Sequence, residues 1–522
     1  MLLEPLLVVV SLLDSAGPAR AAAPPPQPQL GQPIADIRYE IHNVFDVDSP
    51  GEANPLFSLA NGVHRRTRRQ VIERELLFRA GDPFAPALLS ETERNLRTLP
   101  FLRKVEIVGV QTSRGPVVIV RTWDAWTLEV DGRFNRTGGV NDAQIGAGDF
   151  NMLGYGKSVS ARYGENSGVP SRSLLYHDPQ LLRTPHLIYD LSANQQDGVR
   201  HYKTSLAKPF YATITRSSLS SQLDYLEDRP TVYQGLSPAG AAARRNYNAG
   251  LTYGYAFEAT TRRTRRFTLG LLHQYADFAA LPSQPALFVP EPERHTSVQA
   301  GYDFQNIKFI KQKHIQKLSR EEDYNVAPGF TAALGYSPRL AALATTGELL
   351  QPSLELRDGF VSELGQFLFL RADYLSTYVN GGNGDAVATA DIQYFCRFFP
   401  RNTIAAHAQF DRGWRLDAPT LLTLGEDNGL RGYRAKQFQG DRRLLFNLED
   451  RVFFFEDLFK LADAGGVVFF DSGNVWMPNE RFALGGLKSS YGVGLRLAAT
   501  RSANNDPVRI DLAHALNDNH FP

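Results

Sequence analysis

The residues best placed to do chemistry in this chain of 522 residues are ionic and lie toward its C-terminal end. Gly429-Leu430-Arg431-Gly432-Tyr433 is followed by Asn447-Leu448-Glu449-Asp450-Arg451, and then by Phe469-Phe470-Asp471-Ser472-Gly473. A guanidinium offers carboxylates a planar fork of donors and stays charged at any accessible pH. Glu449 and Asp471 each fall on the polar face of an alternating run, so both are expected partners of Arg431. Phe469 and Gly473 share the face of Asp471, and a glycine there leaves room for a close backbone approach. The pattern predicts a loop folded back and clamped by one arginine. A surface arginine in a turn, flanked by ordinary strand carboxylates, would carry the same residues.

Covalent chemistry finds no support. There is no Gly-x-Ser-x-Gly elbow, no Gly-x-x-x-x-Gly-Lys loop and no His-Glu-x-x-His helix, and the eleven histidines are scattered. Cys396 is the single cysteine, so neither an intrachain disulfide nor a multi-cysteine metal site can be built. The expectation is no catalytic residue, no metal and no cofactor. Asn135-Arg136-Thr137 matches a glycosylation sequon but reads as a strand turn.

The elements that must position the clamp are strands. Net charge is +1 and charged residues make up 21%, without the basic stripe that binding to nucleic acid needs. No uninterrupted apolar stretch of about 18 residues follows the N-terminus, which argues against a helical membrane protein. From Trp126 to Phe134 the apolar set Trp126, Leu128, Val130 and Phe134 alternates with Thr127, Glu129, Asp131 and Arg133. Tyr247 to Phe257 and Phe267 to Tyr275 repeat this period of two, which requires one wet and one greasy side. A soluble sandwich alternates too. Runs of about ten residues with aromatics near their ends favour strands that cross lipid. In such a strand Cys396, with Ile392, Tyr394 and Phe398, is expected to face lipid. About nineteen such runs can be marked between Trp126 and Leu516.

Ahead of them, residues 34–122 read strand, helix, helix, strand, strand. Ile34 to Val44 is extended, a polar insertion covers Asp46 to His64, and Thr67 is expected to cap a helix carrying Val71, Ile72 and Leu76. A second helix places Leu88, Thr92, Leu96 and Leu99 on one face. Residues 24–33 form a Pro- and Gln-rich leader. Residues 1–23 carry an apolar core and Ala21-Ala22-Ala23, as an export signal would, although Glu4 stands where a basic residue is usual. The basic stretch Ile307 to Glu322 is expected to be a solvated loop or membrane rim.

With Arg79-Ala80-Gly81-Asp82-Pro83-Phe84, Tyr176-His177-Asp178-Pro179-Gln180 and Tyr491-Gly492-Val493-Gly494, these motifs resemble the BamA/TpsB-like outer-membrane barrel superfamily. The resemblance spans nearly the whole chain after the export segment. It implies a mainly β protein: one periplasmic α+β POTRA domain over 34–122, then a transmembrane antiparallel barrel of about 16 strands over 123–522. It also implies that residues 429–433 lie inside the barrel as its inner loop, with Glu449, Asp471, Phe469 and Gly473 on the lumen wall. Glu426 stands where the family commonly has glycine. Family barrels add a closing strand after the one matching Val508 to Leu516, whereas here only Asn517 to Pro522 follow.

The function implied is assembly or insertion of outer-membrane proteins, or translocation of a polypeptide across the outer membrane of a Gram-negative-type bacterium. The expected partners are the lipid bilayer, an unfolded or secreted polypeptide captured at a POTRA strand edge, and periplasmic chaperones or lipoproteins, with no nucleic acid. A passive channel or structural surface antigen is the competing class, and lipid transport a third; a single POTRA domain weighs against dedicated two-partner secretion.

Overall fold

The computed structural model describes residues 28–516 apart from 138–139, 167–168, 235–236, 282–288, 319, 341–344, 364, 398, 400, 417–419 and 504–505. Residues 1–23, expected to be an export signal, and the chain after residue 516 lie outside the described residues. The N-terminal unit contains β1 (Asp36–His42), α1 (Pro55–Val63), α2 (Arg69–Glu73), α3 (Pro86–Arg97), β2 (Leu102–Thr112) and β3 (Gly115–Asp124). Its sheet has the order β1-β3-β2, with β1 parallel to β3 and β2 antiparallel to it. Pro86 opens α3, where its missing N–H costs nothing. Leu89, Thr92 and Leu96, spaced by three and four, then bury one face of the helix against the sheet core around Phe101, Val105 and Val118.

Two expectations fail here. The insertion between Asp46 and His64 contains the helix α1, opened by the Asn54 side chain on the Leu56 N–H and by Pro55. Thr67 does not cap α2, whose cap position is Arg68, and Leu76 lies beyond the end of that helix. The Thr67 N–H instead donates to Asp124 at 2.7 Å, and its hydroxyl accepts from Asn151 at 2.9 Å. A short polar residue beside a buried carboxylate satisfied that acceptor rather than a helix end.

From Leu128–Thr137 to Val508–Ala515 the chain makes one large antiparallel sheet. Twenty described strands belong to it, against the about sixteen that the resemblance implies. The excess is partly one of division, since two of the twenty are pieces of one interrupted strand. One break is chemical: Ser217–Asp228 and Thr231–Gln234 pair with the same partner strand, separated by Arg229-Pro230, where proline lacks a ladder donor. In strand order the sheet comes round so that the last strand follows next to the first. Among the described residues no residue-by-residue register joins those two. The residue ahead of the first strand and the connection leading to the last meet at a parallel bridge between Trp126 and Ser502, where the Ala503 N–H donates to the Trp126 carbonyl at 2.8 Å.

The two faces of this sheet differ in the opposite sense from a soluble sandwich. Tyr491, Val493, Leu495 and Leu497 are exposed on one strand, and Val508, Ile510 and Leu512 on the next. The polar alternates turn inward, and Asp471, Asp411 and Ser490 are buried. A contiguous exposed apolar belt has no rationale in water and a direct one in lipid. Cys396 departs from expectation: it is buried, ending its strand opposite Ile404, where the outward face that exposes Ile392 has run out.

The unit and the sheet are joined by buried polar contacts. Asp124, fully buried, accepts from the Thr67 N–H and from His64 Nε2 at 3.0 Å and so holds Thr67 within the unit, where its hydroxyl receives Asn151 from a turn of the sheet. Glu91 on α3 accepts from the N–H and hydroxyl of Thr213 in a turn of the sheet, at 2.6 and 2.8 Å. Asp124→Ala should therefore cost about 1–3 kcal/mol of local stability by orphaning buried donors. Trypsin cleavage at Arg65, Arg66 and Arg68 should accelerate while the large sheet keeps its resistance to denaturant; unchanged cleavage would refute this role for Asp124.

Candidate functional site

The loop carrying Arg431 leaves the strand Asn402–Trp414 and returns into Arg442–Leu458. Within it Leu422–Leu424 and Phe438–Gly440 pair as a short ribbon, and Glu426–Asn428 forms one tight turn. Asn428 locks that turn: its Oδ1 accepts from the Gly425 N–H at 2.8 Å, and its Nδ2 donates to the Thr423 carbonyl at 2.7 Å. Gly429 and Gly432 have φ of 116° and 84°, left-handed values that suit glycine at each side of the tip. A Cβ on Gly429 would also meet the Leu445 side chain at 2.7 Å. Glu426, the departure from the family wording, sits in the tight turn and lines the adjacent cavity.

Leu430 supplies the apolar half of the attachment. It is fully buried with Leu424, Tyr433, Leu445, Val475 and Ala515. Tyr433 donates its hydroxyl to the Ser489 carbonyl at 3.0 Å. Gly473 makes space for this cluster, since a Cβ there would lie 2.9 Å from the Leu424 methyl and 2.7 Å from the Leu444 carbonyl. It is thus a loop side chain, Leu424, that occupies the space at Gly473.

Arg431 supplies the polar half. Its Nε and Nη2 reach the two oxygens of Asp471 at 2.7 and 2.8 Å, a bidentate pair. Its Nη1 lies 2.9 Å from Glu449 and 3.4 Å from Asp511. The guanidinium carbon stands 3.5 Å from the centroid of Phe469, a cation–π contact. Asn447 ties loop to wall, donating to the Gly429 carbonyl and to Asp471, each at 2.7 Å. The structure thus brings together Gly429, Leu430, Arg431, Gly432, Tyr433, Glu449, Asp471, Phe469 and Gly473.

Sequence reasoning missed Asp511 and the cations behind the carboxylates. Glu449 also pairs with Arg451 at 2.7 Å, and Asp511 with Arg496. The alternation Val508, Ile510, Leu512 outward would have turned Asp511 inward. No sequence rule, however, assigns a contact to the far end of the sheet. A polar cavity of about 900 Å³ opens beside the clamp, lined by Arg431, Glu449, Arg451, His407, Asn447 and Asp511 among others.

A second segment enters from the side of the N-terminal unit. The basic stretch expected to be solvated folds as a hairpin, Phe309–Gln312 with Glu322–Asn325; its lysines are exposed, but at its tip Ile315 and Leu318 are buried. The apolar residues within the basic run decide this: Ile315 packs with Phe367, Phe395 and Ala405, and Leu318 with Phe453 and Ala498. Arg451 donates to the Ile315 carbonyl, so the clamp's own carboxylate partner is linked to the hairpin tip. At the hairpin base Asp323 pairs with Arg97 on α3 at 2.7 Å, and Lys311 with Glu93 at 2.7 Å. Burial raises the Glu93 pKa, but Lys311, the Ile107 N–H and Arg97 outweigh it and hold that carboxyl below the usual carboxylate range. Charged groups therefore run from Arg431 through Glu449 and Arg451 to the hairpin and on to α3.

No protein-family model and no curated protein sequence matches this chain. Among solved structures it is similar to BamA from Haemophilus ducreyi lacking POTRA domains 1–3, at 12% identity and TM-score 0.40, over 93% of this chain and 81% of that one. CdiB from Escherichia coli is similar at 11% identity and TM-score 0.44, over 93% and 77%. CdiB from Acinetobacter baumannii is similar at 11% and 0.38, over 93% and 74%.

Arg431→Ala would leave fully buried Asp471 without its cation, a loss of at most about 3–5 kcal/mol, the value for a fully desolvated pair, reduced by the open cavity that Arg431 lines. A spin label on the loop should become mobile, and Arg431→Lys should rescue only part of the effect because a lysine lacks the fork. An immobile loop in Arg431→Ala would refute the clamp. The depressed Glu93 pKa means its contribution to hairpin docking is present above the ordinary carboxylate pKa of about 4.3 and is lost as pH falls through the lower folded value. A nitroxide at Lys313 should gain mobility on acidification, and Glu93→Gln should show that mobility at neutral pH and flatten the pH step.

Proposed function

We propose that this chain works in the outer membrane of a Gram-negative-type bacterium, inserting outer-membrane proteins or translocating a polypeptide. In this reading residues 34–122 are a periplasmic POTRA domain and residues 123–522 a transmembrane barrel closed at the seam between Leu128–Thr137 and Val508–Ala515. The carrying observation is the Arg431 clamp, set in a sheet whose apolar side chains point outward and whose charges point inward. A loop that only covered a surface would not need its arginine matched by three carboxylates from three strands.

Substrate enters at β1. Its outer edge carries no partner strand in the three-stranded order and is flanked by an open groove lined by Ile37, Tyr39, Ile41, Arg66 and Arg69. The opposite edge is partly blocked, because the Glu93 side chain accepts the Ile107 N–H on β2 at 3.1 Å. An extended polypeptide adding to β1 would gain backbone hydrogen bonds without sequence selection. Passage then uses the seam, the joint held by the Trp126–Ser502 bridge. The Arg431 clamp keeps the inner loop packed against the wall beside that seam, since Asp511 belongs to the seam's last strand. Chaperones or lipoproteins of the periplasm would deliver substrate, and the chemistry needs no cofactor.

The cavity beside the clamp favours a second reading, a passive channel with the loop as its plug. The two part company in one experiment. Glu129→Cys with Ser502→Cys, in a Cys396→Ala background, should lock the seam on oxidation, and Tyr39→Pro should block strand addition at β1. Both should reduce the assembled or secreted protein recovered from cells at least about tenfold while single-channel conductance in planar bilayers stays unchanged. Retained export in both variants, with conductance raised only by Arg431→Ala, would establish the passive channel instead.

A further inference from the structure

α1 is amphipathic the wrong way round for a helix on a water-soluble domain. Leu56, Leu59 and Val63 form its outer stripe and are 69%, 66% and 55% exposed, and no residue of the helix is buried. The inner side is held by other means. Phe57 stacks on Phe45 with ring centroids 4.1 Å apart. The Asn61 amide accepts from the Phe45 N–H at 3.2 Å and donates to the Phe45 carbonyl at 2.8 Å. The helix contains no charged residue, yet it runs directly into His64-Arg65-Arg66-Thr67-Arg68-Arg69, whose four arginines are exposed.

The location of α1 says what this stripe meets. Glu52, just ahead of the helix, pairs with Arg501 at 2.8 Å, and Arg501 also reaches Asp457 at 3.1 Å. Asp457 lies at the end of the strand Arg442–Leu458 and Arg501 in the bend that follows the strand Lys488–Ala499, next to the Trp126–Ser502 bridge. The turn after Asp457 exposes Phe459 and Leu461, and its Lys460 side chain lies 3.6 Å from where a Cβ on Gly51, just ahead of α1, would stand. α1 therefore sits beside the end of the sheet whose outer side chains face lipid in the proposed function.

We propose that α1 is an interfacial helix. Its Leu56–Leu59–Val63 stripe enters the acyl boundary of the leaflet nearest the N-terminal unit, and Arg65 and Arg66 bind phosphate-bearing phospholipid headgroups. An apolar stripe followed by a short basic tract is the combination that holds a helix in the plane of a bilayer surface. Anchored beside the seam, it fixes the N-terminal unit at the membrane where substrate leaves β1. This inference rests on the membrane-spanning reading of the sheet.

The test uses the whole chain with Cys396→Ala, labelled with an environment-sensitive fluorophore at Leu59→Cys, at Leu512→Cys on the sheet exterior, or at Arg114→Cys in the β2–β3 turn. The protein is reconstituted in phosphatidylethanolamine/phosphatidylglycerol vesicles containing a lipid with a nitroxide high on its acyl chain. Labels at 59 and 512 should both be quenched by the nitroxide lipid at least about threefold more than the label at 114, and should resist aqueous iodide. Arg65→Glu with Arg66→Glu should reduce quenching at 59 and leave 512 unchanged. Val63→Cys repeats the measurement should Leu59→Cys fold poorly. Quenching at 512 with iodide access at 59 would overturn the anchor and leave the membrane reading intact. A label at 59 shielded from both quenchers would assign the stripe to a protein partner or a second copy of this chain. Absence of lipid quenching at 512 would overturn both readings.

Discussion

A positive charge held away from bulk water has to be matched where it sits, and Arg431 meets that constraint with carboxylates from three strands. Asp471 takes two of its donors, Glu449 and Asp511 share a third, and the Phe469 ring covers its face. Each acid is then tied to something else: Glu449 to Arg451, Asp511 to Arg496, Asp471 to Asn447. A pair of this kind is weak evidence for net stability, because desolvation offsets most of the Coulomb gain. Its value is specificity, since one alternative position of the loop would strand several buried charges at once.

The same constraint orders the rest of the interior. The hairpin between Phe309 and Asn325 brings apolar residues and a backbone carbonyl to the wall, and Arg451 meets that carbonyl while holding Glu449. Its base answers to α3 through Asp323 and Lys311. The N-terminal unit and the clamp are therefore joined by a chain of packed and hydrogen-bonded contacts.

Outside, the constraint reverses. The exposed Leu, Val, Ile and Tyr residues of the strands make a surface that water would penalise, and α1 extends the same logic to the N-terminal unit, with its apolar stripe outward and its amide anchors inward. An exposed strand edge at β1 lies on that unit as well, so the parts that would hold a polypeptide and a membrane surface stand close to one seam.

Much of this was legible in the chain. Alternation with a period of two specified the strands, their long runs and their two faces, because side chains on a strand point in strictly alternating directions. It also placed Glu449 and Asp471 on the face that meets Arg431. Local pattern could not supply contacts between distant segments. Asp511 lies 80 residues from Arg431 and meets it only because the sheet comes round. The lysines of the basic run 307–322 are exposed, as their charge implied, yet Ile315 and Leu318 among them found covered sites on strands far along the chain, which charge alone did not signal. Thr67 had the right chemistry for a helix cap and served a buried aspartate instead. Which residues sit on which face was determined by local stereochemistry, whereas the partner each one meets depended on the curvature and register of the whole sheet, which no short stretch of sequence encodes.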